Sequence, residues 1–451
     1  MSLGTAPVAL DAEILELGRR LARRRHSRGA ATRAGRDRAM ALASRDPQVR
    51  AALFRMVDVA PACSTPAELA AHLEALLADV DEPATAVRLA AEAAGGPLAS
   101  AVGRVAAAAV QQMAGAFIVG ETPQAAARVL RRLWSRGAAV TVDLLGEATV
   151  TRGEGRAYAA ACDAALLTLA QESARWPARP LLERDGAGAL PRVNLSLKVT
   201  ALTPLVRPQA PQRGRDDAAE LLRGLLRRAR ELGAHLHVDM ESLDSRELVL
   251  ELVMEILGER EFADGPSSGI VLQTYLRDSE LMLERVLEWS RASARATPLT
   301  VRLVKGAYWD HETIEAAQSG WRPPVFTDKA DSDRSFERLT RKLIDAWATE
   351  RLARPAIASH NLRSLAHAIV YARHAGLTDA DYELQVLRGL GDDIQESLTA
   401  EGLRARVYCP VGNLMAGMAY LVRRLLENTS NDSFLASRVS GATLDELLAP
   451  P

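Results

Sequence analysis

The spacing of apolar and polar positions changes character once along the chain. Up to about residue 115 the apolar positions recur at helical spacing, with Ala, Leu, Glu and Arg prominent, and no run reads as a strand. Helices are expected over Asp11–Arg25, Pro66–Ala78 and Pro97–Ala114, which makes residues 1–115 an all-α arm. After Gly120, short apolar runs alternate with amphipathic segments, the pattern of strands each followed by a helix. Eight strands are expected: Ala138–Val142, Val193–Lys198, His235–Asp239, Gly269–Thr274, Leu299–Val304, Pro355–Ser359, Tyr382–Val386 and Ala405–Cys409. The helices behind them span 153–175, 215–232, 243–257, 280–293, 331–350, 361–375, 391–400 and 414–427. Eight such units fit an α/β fold of the (β/α)8 TIM-barrel type, assigned to residues 116–440, with 441–451 as a carboxyl-terminal tail. A doubly wound sheet usually has fewer strands and a glycine-rich first turn, and neither GxGxxG nor a P-loop occurs.

Alternation within the strands separates their two faces. In VNLSLK, Val193, Leu195 and Leu197 oppose Asn194, Ser196 and Lys198; in HLHVD, Leu236 and Val238 oppose His235, His237 and Asp239. Leu299, Val301 and Leu303 oppose Thr300 and Arg302, while Leu384 and Val386 oppose Glu383 and Gln385. The apolar set must meet the helices, so the polar set is expected inside the barrel, where it needs partners or a ligand. Active sites of such barrels lie at the carboxyl ends of the strands. The last inward or first loop residues there are Glu147, Lys198, Asp239, Gln273, Arg302 with Lys305, His360 with Asn361, Gln385 and Tyr408, none of them apolar. A set rich in cations and amides around few carboxylates suits an anionic ligand. In the last helix Leu414, Met418, Leu421, Val422 and Leu425 form an apolar stripe, with Tyr420, Arg423, Arg424 and Glu427 on the other side. Such a face alone is ordinarily solvated; beside a barrel mouth, two adjacent arginines suit a carboxylate or phosphate clamp.

Composition narrows the reading. The 451 residues carry 56 basic and 57 acidic side chains for a net charge of −1, which argues against wholesale nucleic-acid binding. Nine arginines crowd Gly18–Arg38 against one aspartate, read as a solvated helix face. Cys63, Cys162 and Cys409 are far apart, fitting a reducing compartment, the cytoplasm, rather than a disulfide framework. The amino terminus lacks an apolar core of signal-peptide length, and no window approaches the ~18–20 apolar residues of a spanning helix. Only Lys198, Lys305, Lys329 and Lys342 depart from the preference for arginine, and lysine supplies what arginine cannot, a compact charge with a shiftable pKa. Two other chemistries fit single features. His235 and His237, with His360 and Asp239, could hold a metal, although His235 lies a full pleat below His237 and the neighbouring cations oppose a dication, so no metal is assigned. Lys198 could form a Schiff base, although Asp239 and Glu147 are available to keep it charged.

TVDLLGEA, SLKVTALTP, HVDMES, GIVLQTYLRDS, VRLVKGAYWDHE, PVFTDKADSD, ASHN, YELQVLRGLGD and RVYCPVG followed by YLVRRLLENTSNDSF occur in that order between about Phe117 and Phe434. Together they resemble the proline dehydrogenase domain of bacterial proline utilization A. The resemblance implies non-covalent FAD at the barrel mouth, oxidation of L-proline to Δ1-pyrroline-5-carboxylate, and reoxidation by a membrane quinone. It further implies peripheral contact at the inner face of the cytoplasmic membrane and self-association that differs between members. By motif, Arg423 and Arg424 would grip the proline carboxylate with Lys198 assisting, Tyr408 would pack on the ring, Asp239 would orient the set and Glu147 would stand outside it. FAD contacts would come from Asp239, Gln273, Arg302, Val304, Lys305, Gly306, Ala307, Tyr308, Trp309, Thr327, Lys329, His360, Asn361, Gln385, Glu427 and Phe434. Relatives with this domain usually continue into an aldehyde dehydrogenase, so a one-function member or an excised domain is expected, without the second activity. Where many relatives have Ser and Ala after the lysine motif this chain has Thr200 and Ala201, so one residue departs and a hydroxyl is retained.

Overall fold

The computed structural model describes residues 7–23, 62–78, 99–146, 149–293, 295–413 and 443–451, with isolated positions at 48, 52, 55, 56, 59, 92 and 417. Helices α1 (Pro7–Arg23), α2 (Pro66–Ala78), α3 (Ala99–Phe117) and α4 (Pro123–Ser135) precede the strands. Eight strands, β1 (Ala138–Leu144), β2 (Asn194–Leu197), β3 (His235–Val238), β4 (Ser267–Gln273), β5 (Leu299–Val304), β6 (Ala353–Ala358), β7 (Glu383–Leu387) and β8 (Ala405–Val411), form a closed parallel barrel. Each pairs with the next, and β8 returns to β1. Helices α5 (Arg152–Ser173), α6 (Pro211–Glu231), α7 (Leu243–Leu257), α8 (Ser279–Ala292), α9 (Trp309–Ser319), α10 (Lys329–Glu350), α11 (Leu362–His374) and α12 (Asp392–Ala400) follow the strands, and α13 (Leu444–Leu448) lies near the end of the chain.

The expected (β/α)8 architecture is thus present, and the helix expected over 414–427 lies outside the described residues. Three differences from the spacing bear on the site. Strands β1 and β8 each run two residues further and β7 one, which brings Asp143 and Leu387 into the barrel wall. An aspartate disfavours a strand by propensity, but Asp143 pairs in register with Ser196 and Pro410, and Lys198 neutralises it. α9 is an extra helix inserted between β5 and α10, and α4 is an extra one before β1. Thr122 caps α4 by accepting from Ala125 N–H, with a proline at the first helical position.

Alternation holds around the ring. Val140, Val142, Leu195, Leu197, Leu236, Val238, Ile270, Leu272, Leu299, Val301, Leu303, Ile357, Leu384, Val386, Val407 and Cys409 are buried in the shell between strands and helices. Inside lie Thr141, Ser196, His237, Arg302 and Gln385, all buried and polar. At the amino-terminal end a hairpin of Arg184–Asp185 and Gly188–Ala189 covers the barrel floor, and Arg354 Nε donates to Asp185 Oδ2 at 2.6 Å. α1 joins the same core through Ile14, Leu17 and Leu21. Buried Arg363 of α11 fastens it by donating to Asp11 of α1, Glu337 of α10 and the Leu448 carbonyl of α13. Among the described residues no helix is long and apolar enough to cross a membrane.

Candidate active site

The carboxyl ends of β1, β2, β3, β5 and β8 converge on one cluster. Lys198, just past β2, donates from Nζ to Asp143 Oδ1 at 2.7 Å and lies 3.8 Å from Asp239 Oδ2. Asp239, just past β3, accepts from Ser196 Oγ at 2.7 Å, Arg302 Nη1 at 2.7 Å and Tyr408 Oη at 2.6 Å. The Arg302 guanidinium lies 5.3 Å from the Tyr408 ring centroid. Two carboxylates and two cations therefore balance within the wall, as a water-poor interior requires. Lys198, Asp239, Arg302 and Tyr408 were expected here, and the structure brings them together. Asp143 was missed: its alternation with Thr141 on the inner face is the signal, hidden by ending the strand at Val142.

The electrostatics fix the protonation states. Burial works to lower the pKa of Lys198, but Asp143 and Asp239 outweigh it, and the ammonium is held charged well above its ordinary value. This disfavours a Schiff-base role, which needs a neutral amine. Burial and the two carboxylates push the Tyr408 phenol far up, so it stays a donor. Burial raises the carboxyl of Asp143 against the pull of Lys198.

Around this centre lie groups with polar atoms still to satisfy. Among the described residues buried Arg302 has no partner at Nε or Nη2, and buried Gln273 donates to the Glu241 carbonyl while its Oε1 has none. The inner wall beside them carries Val304 and the small residues Ala356 and Ala358. Lys305 and Lys329 share Asp333, the latter at 2.6 Å, leaving one net positive charge. Gly306 adopts φ +143° against the Tyr275 ring, where a Cβ would lie 2.4 Å from ring carbons. Ala307 and Thr327 are exposed, Tyr308 is half-buried, and the Trp309 indole donates to the Phe326 carbonyl at 2.9 Å. His360 Nε2 accepts from Leu387 N–H at 3.0 Å, and Asn361 caps α11 by accepting from Ser364 N–H. Gln385 sits one pleat below the mouth with its amide on Glu383, and the last inward residue of β7 is apolar Leu387. This corrects the expectation of wholly polar strand ends. Glu147, Arg423, Arg424, Glu427 and Phe434 lie outside the described residues.

The histidine pair is spoken for. His237 Nε2 must donate to the Ile270 carbonyl at 3.1 Å, so its Nδ1 accepts from His235 Nε2 at 3.1 Å. His235 Nδ1 then accepts from Ser267 Oγ at 2.8 Å. Burial, then the arginines around them, lowers both pKa values, His235 to about 3. No ring nitrogen of the pair keeps a lone pair for a metal, and the described residues contain no cluster of three or more metal-ligating side chains.

The profile of the proline dehydrogenase family matches residues 126–437. The chain belongs to the proline dehydrogenase family. The proline utilization A N-terminal domain profile matches residues 11–117, ahead of it. Bifunctional protein PutA of Salmonella typhimurium is 33% identical over 352 residues, 76% of this chain and 25% of the relative. Proline dehydrogenase of Deinococcus radiodurans is 27% identical, over 71% of this chain and 87% of its own. The crystal structure of proline utilization A from Bdellovibrio bacteriovorus, inactivated by N-propargylglycine, superposes with a TM-score of 0.87 at 34% identity, over 97% of this chain and 43% of that one. This proline dehydrogenase family member thus spans a quarter of the length of the bifunctional relative.

Proposed function

We propose that the chain oxidises L-proline to Δ1-pyrroline-5-carboxylate, the first step of proline catabolism. The observation that carries this reading is the buried Lys198–Asp239–Arg302–Tyr408 cluster, with two Arg302 nitrogens unpartnered, at the mouth of a barrel of this family. Those orphaned donors, Gln273 Oε1, the Lys305–Lys329 pair and the close-packed Gly306 fit a flat, polar, anionic group such as FAD bound without a covalent link. When bound, FAD supplies the hydride acceptor at N5, and its electrons pass on to a membrane quinone.

The chain's own residues do the rest. Lys198, held charged, offers a point charge to the substrate carboxylate, and Arg423 and Arg424 complete the clamp, which fixes orientation as well as charge. Tyr408 and Leu387, neighbours in register, present a ring and an alkyl surface to the pyrrolidine. Asp239 fixes Tyr408 and Arg302 in place. Arg302 offers Nε and Nη2, unpartnered among the described residues, to negative charge developing on the cofactor side. Lys305, Lys329 and the backbone from Gly306 to Trp309 hold the cofactor's pyrophosphate, with Thr327, His360, Asn361, Glu427 and Phe434 around the remainder.

A visible spectrum of the purified protein tests this reading: flavin absorbance that bleaches on adding L-proline without oxygen is expected, and a colourless protein sinks it. Arg423→Met and Arg424→Met should each weaken proline binding by about 2–4 kcal/mol, and unchanged affinity in both refutes the clamp.

A further inference from the structure

We infer that Phe117, the last residue of α3, is a positioning residue through which the helical arm sets the β7–β8 wall of the site. Three contacts converge there. Phe117 is 3% exposed and lies with the Ala116 carbonyl against Gly389, which follows β7 in the left-handed conformation at φ +86°. A Cβ at Gly389 would stand 2.8 Å from both the Ala116 oxygen and the Phe117 ring, so the end of α3 is seated on that turn with no slack. The linker after Phe117 then runs beside β8: Val119 N–H donates to the Pro410 carbonyl at 2.9 Å, and Gly412 N–H donates to the Gly120 carbonyl at 3.0 Å. Gly120 and Val411 form a parallel bridge, and Leu145 N–H donates to the Val411 carbonyl at 2.8 Å.

The two seats are joined to the site. Arg388 N–H, one residue before Gly389, donates to the carbonyl of Tyr408 at 3.0 Å, and Leu387 pairs in register with Tyr408. A shift of α3 therefore presses on the turn carrying Leu387 and on the strand carrying Tyr408, the two surfaces that face the substrate ring. The opposite wall, with Lys198, Asp239 and Arg302, is held by its own ion pairs, meets this one through the Tyr408–Asp239 bond, and has no hydrogen bond to 116–120 among the described residues. The arm should accordingly tune substrate fit more than the charged centre. The kinetic half of this inference rests on the proline reading; the structural half does not.

The test uses the full chain with Phe117→Ala and the milder Phe117→Leu. Hydrogen exchange should quicken on the order of tenfold over 385–391 and 408–413, and stay unchanged over 194–198 and 299–305. KM for L-proline should rise on the order of tenfold with kcat within about twofold, because a displaced wall loosens binding while Asp239 keeps its bonds from Ser196 and Arg302 and Lys198 keeps Asp143. Phe117→Leu should show the same pattern at smaller amplitude, and it carries the test if Phe117→Ala does not fold. Unchanged exchange at both segments, or equal quickening around the whole barrel, overturns the inference. A wild-type protein inert toward proline overturns the proline reading instead, and leaves the exchange result to decide this one.

Discussion

Asp143 is the residue on which the charged centre turns. It is 1% exposed, and it accepts directly from Lys198. Breaking a buried pair strands the surviving charge, so Asp143→Asn should destabilise the protein by about 3–5 kcal/mol in urea unfolding and drop the Lys198 pKa toward its ordinary value. Tyr408→Phe removes one of three donors to Asp239 and should cost about 1–3 kcal/mol by the same measurement, less than the loss of a charge. Lys198, Asp239, Arg302 and Tyr408 were legible in the sequence because each continues the polar face of a strand, just past its end or within its last four residues. Asp143 was not, since an acid after Val142 reads as the end of a strand. Leu387 was not either: only the register with Tyr408 shows that β7 continues that far.

At the scale of elements, local chemistry and long-range ties contribute differently. α5 opens with a capping box in which Thr151 and Glu154 each accept from the other's backbone N–H. Thr151→Ala should therefore cost about 1 kcal/mol by thermal unfolding, with little change at the site. α1 depends instead on partners far away in sequence. Arg363 joins Asp11, Glu337 and the Leu448 carbonyl, so Arg363→Met strands buried Glu337, releases half-exposed Asp11 and should cost about 3–5 kcal/mol, with proteolysis of α1 the sensitive readout. The capping box is visible in TRGE as a string of letters. The Arg363 hub could not have been read from the chain, because its members are brought together only once the barrel is closed.

For the whole molecule, the interior histidines make stability depend on acid. In the fold His235 is neutral, its pKa lowered to about 3 by burial and by Arg406, Arg302 and Arg354, with Glu383 opposing; an unfolded histidine titrates near its ordinary 6.5. Its contribution is complete above pH 6.5 and is lost as the pH falls from there toward 3, because the unfolded chain takes up the proton first. The urea midpoint should fall between pH 7 and pH 5, and His235→Gln should flatten that fall whatever its effect on absolute stability. Equal slopes in the two proteins would argue against the neutral pair.

The order of β/α units, the closed parallel barrel and the polar lining follow from sequence alone, because periods of 2 and 3.6 residues are set by backbone geometry and by which side chains avoid water. The same patterns say which side of a strand a residue faces, but not which residue it meets. That Lys198 meets Asp143, that His237 gives its proton to the Ile270 carbonyl, and that Phe117 seats on Gly389 were decided only by the tertiary structure. Register and ring closure place groups within hydrogen-bond reach across gaps of 55, 33 and 272 residues, counted from the residue numbers, and no local rule spans such gaps.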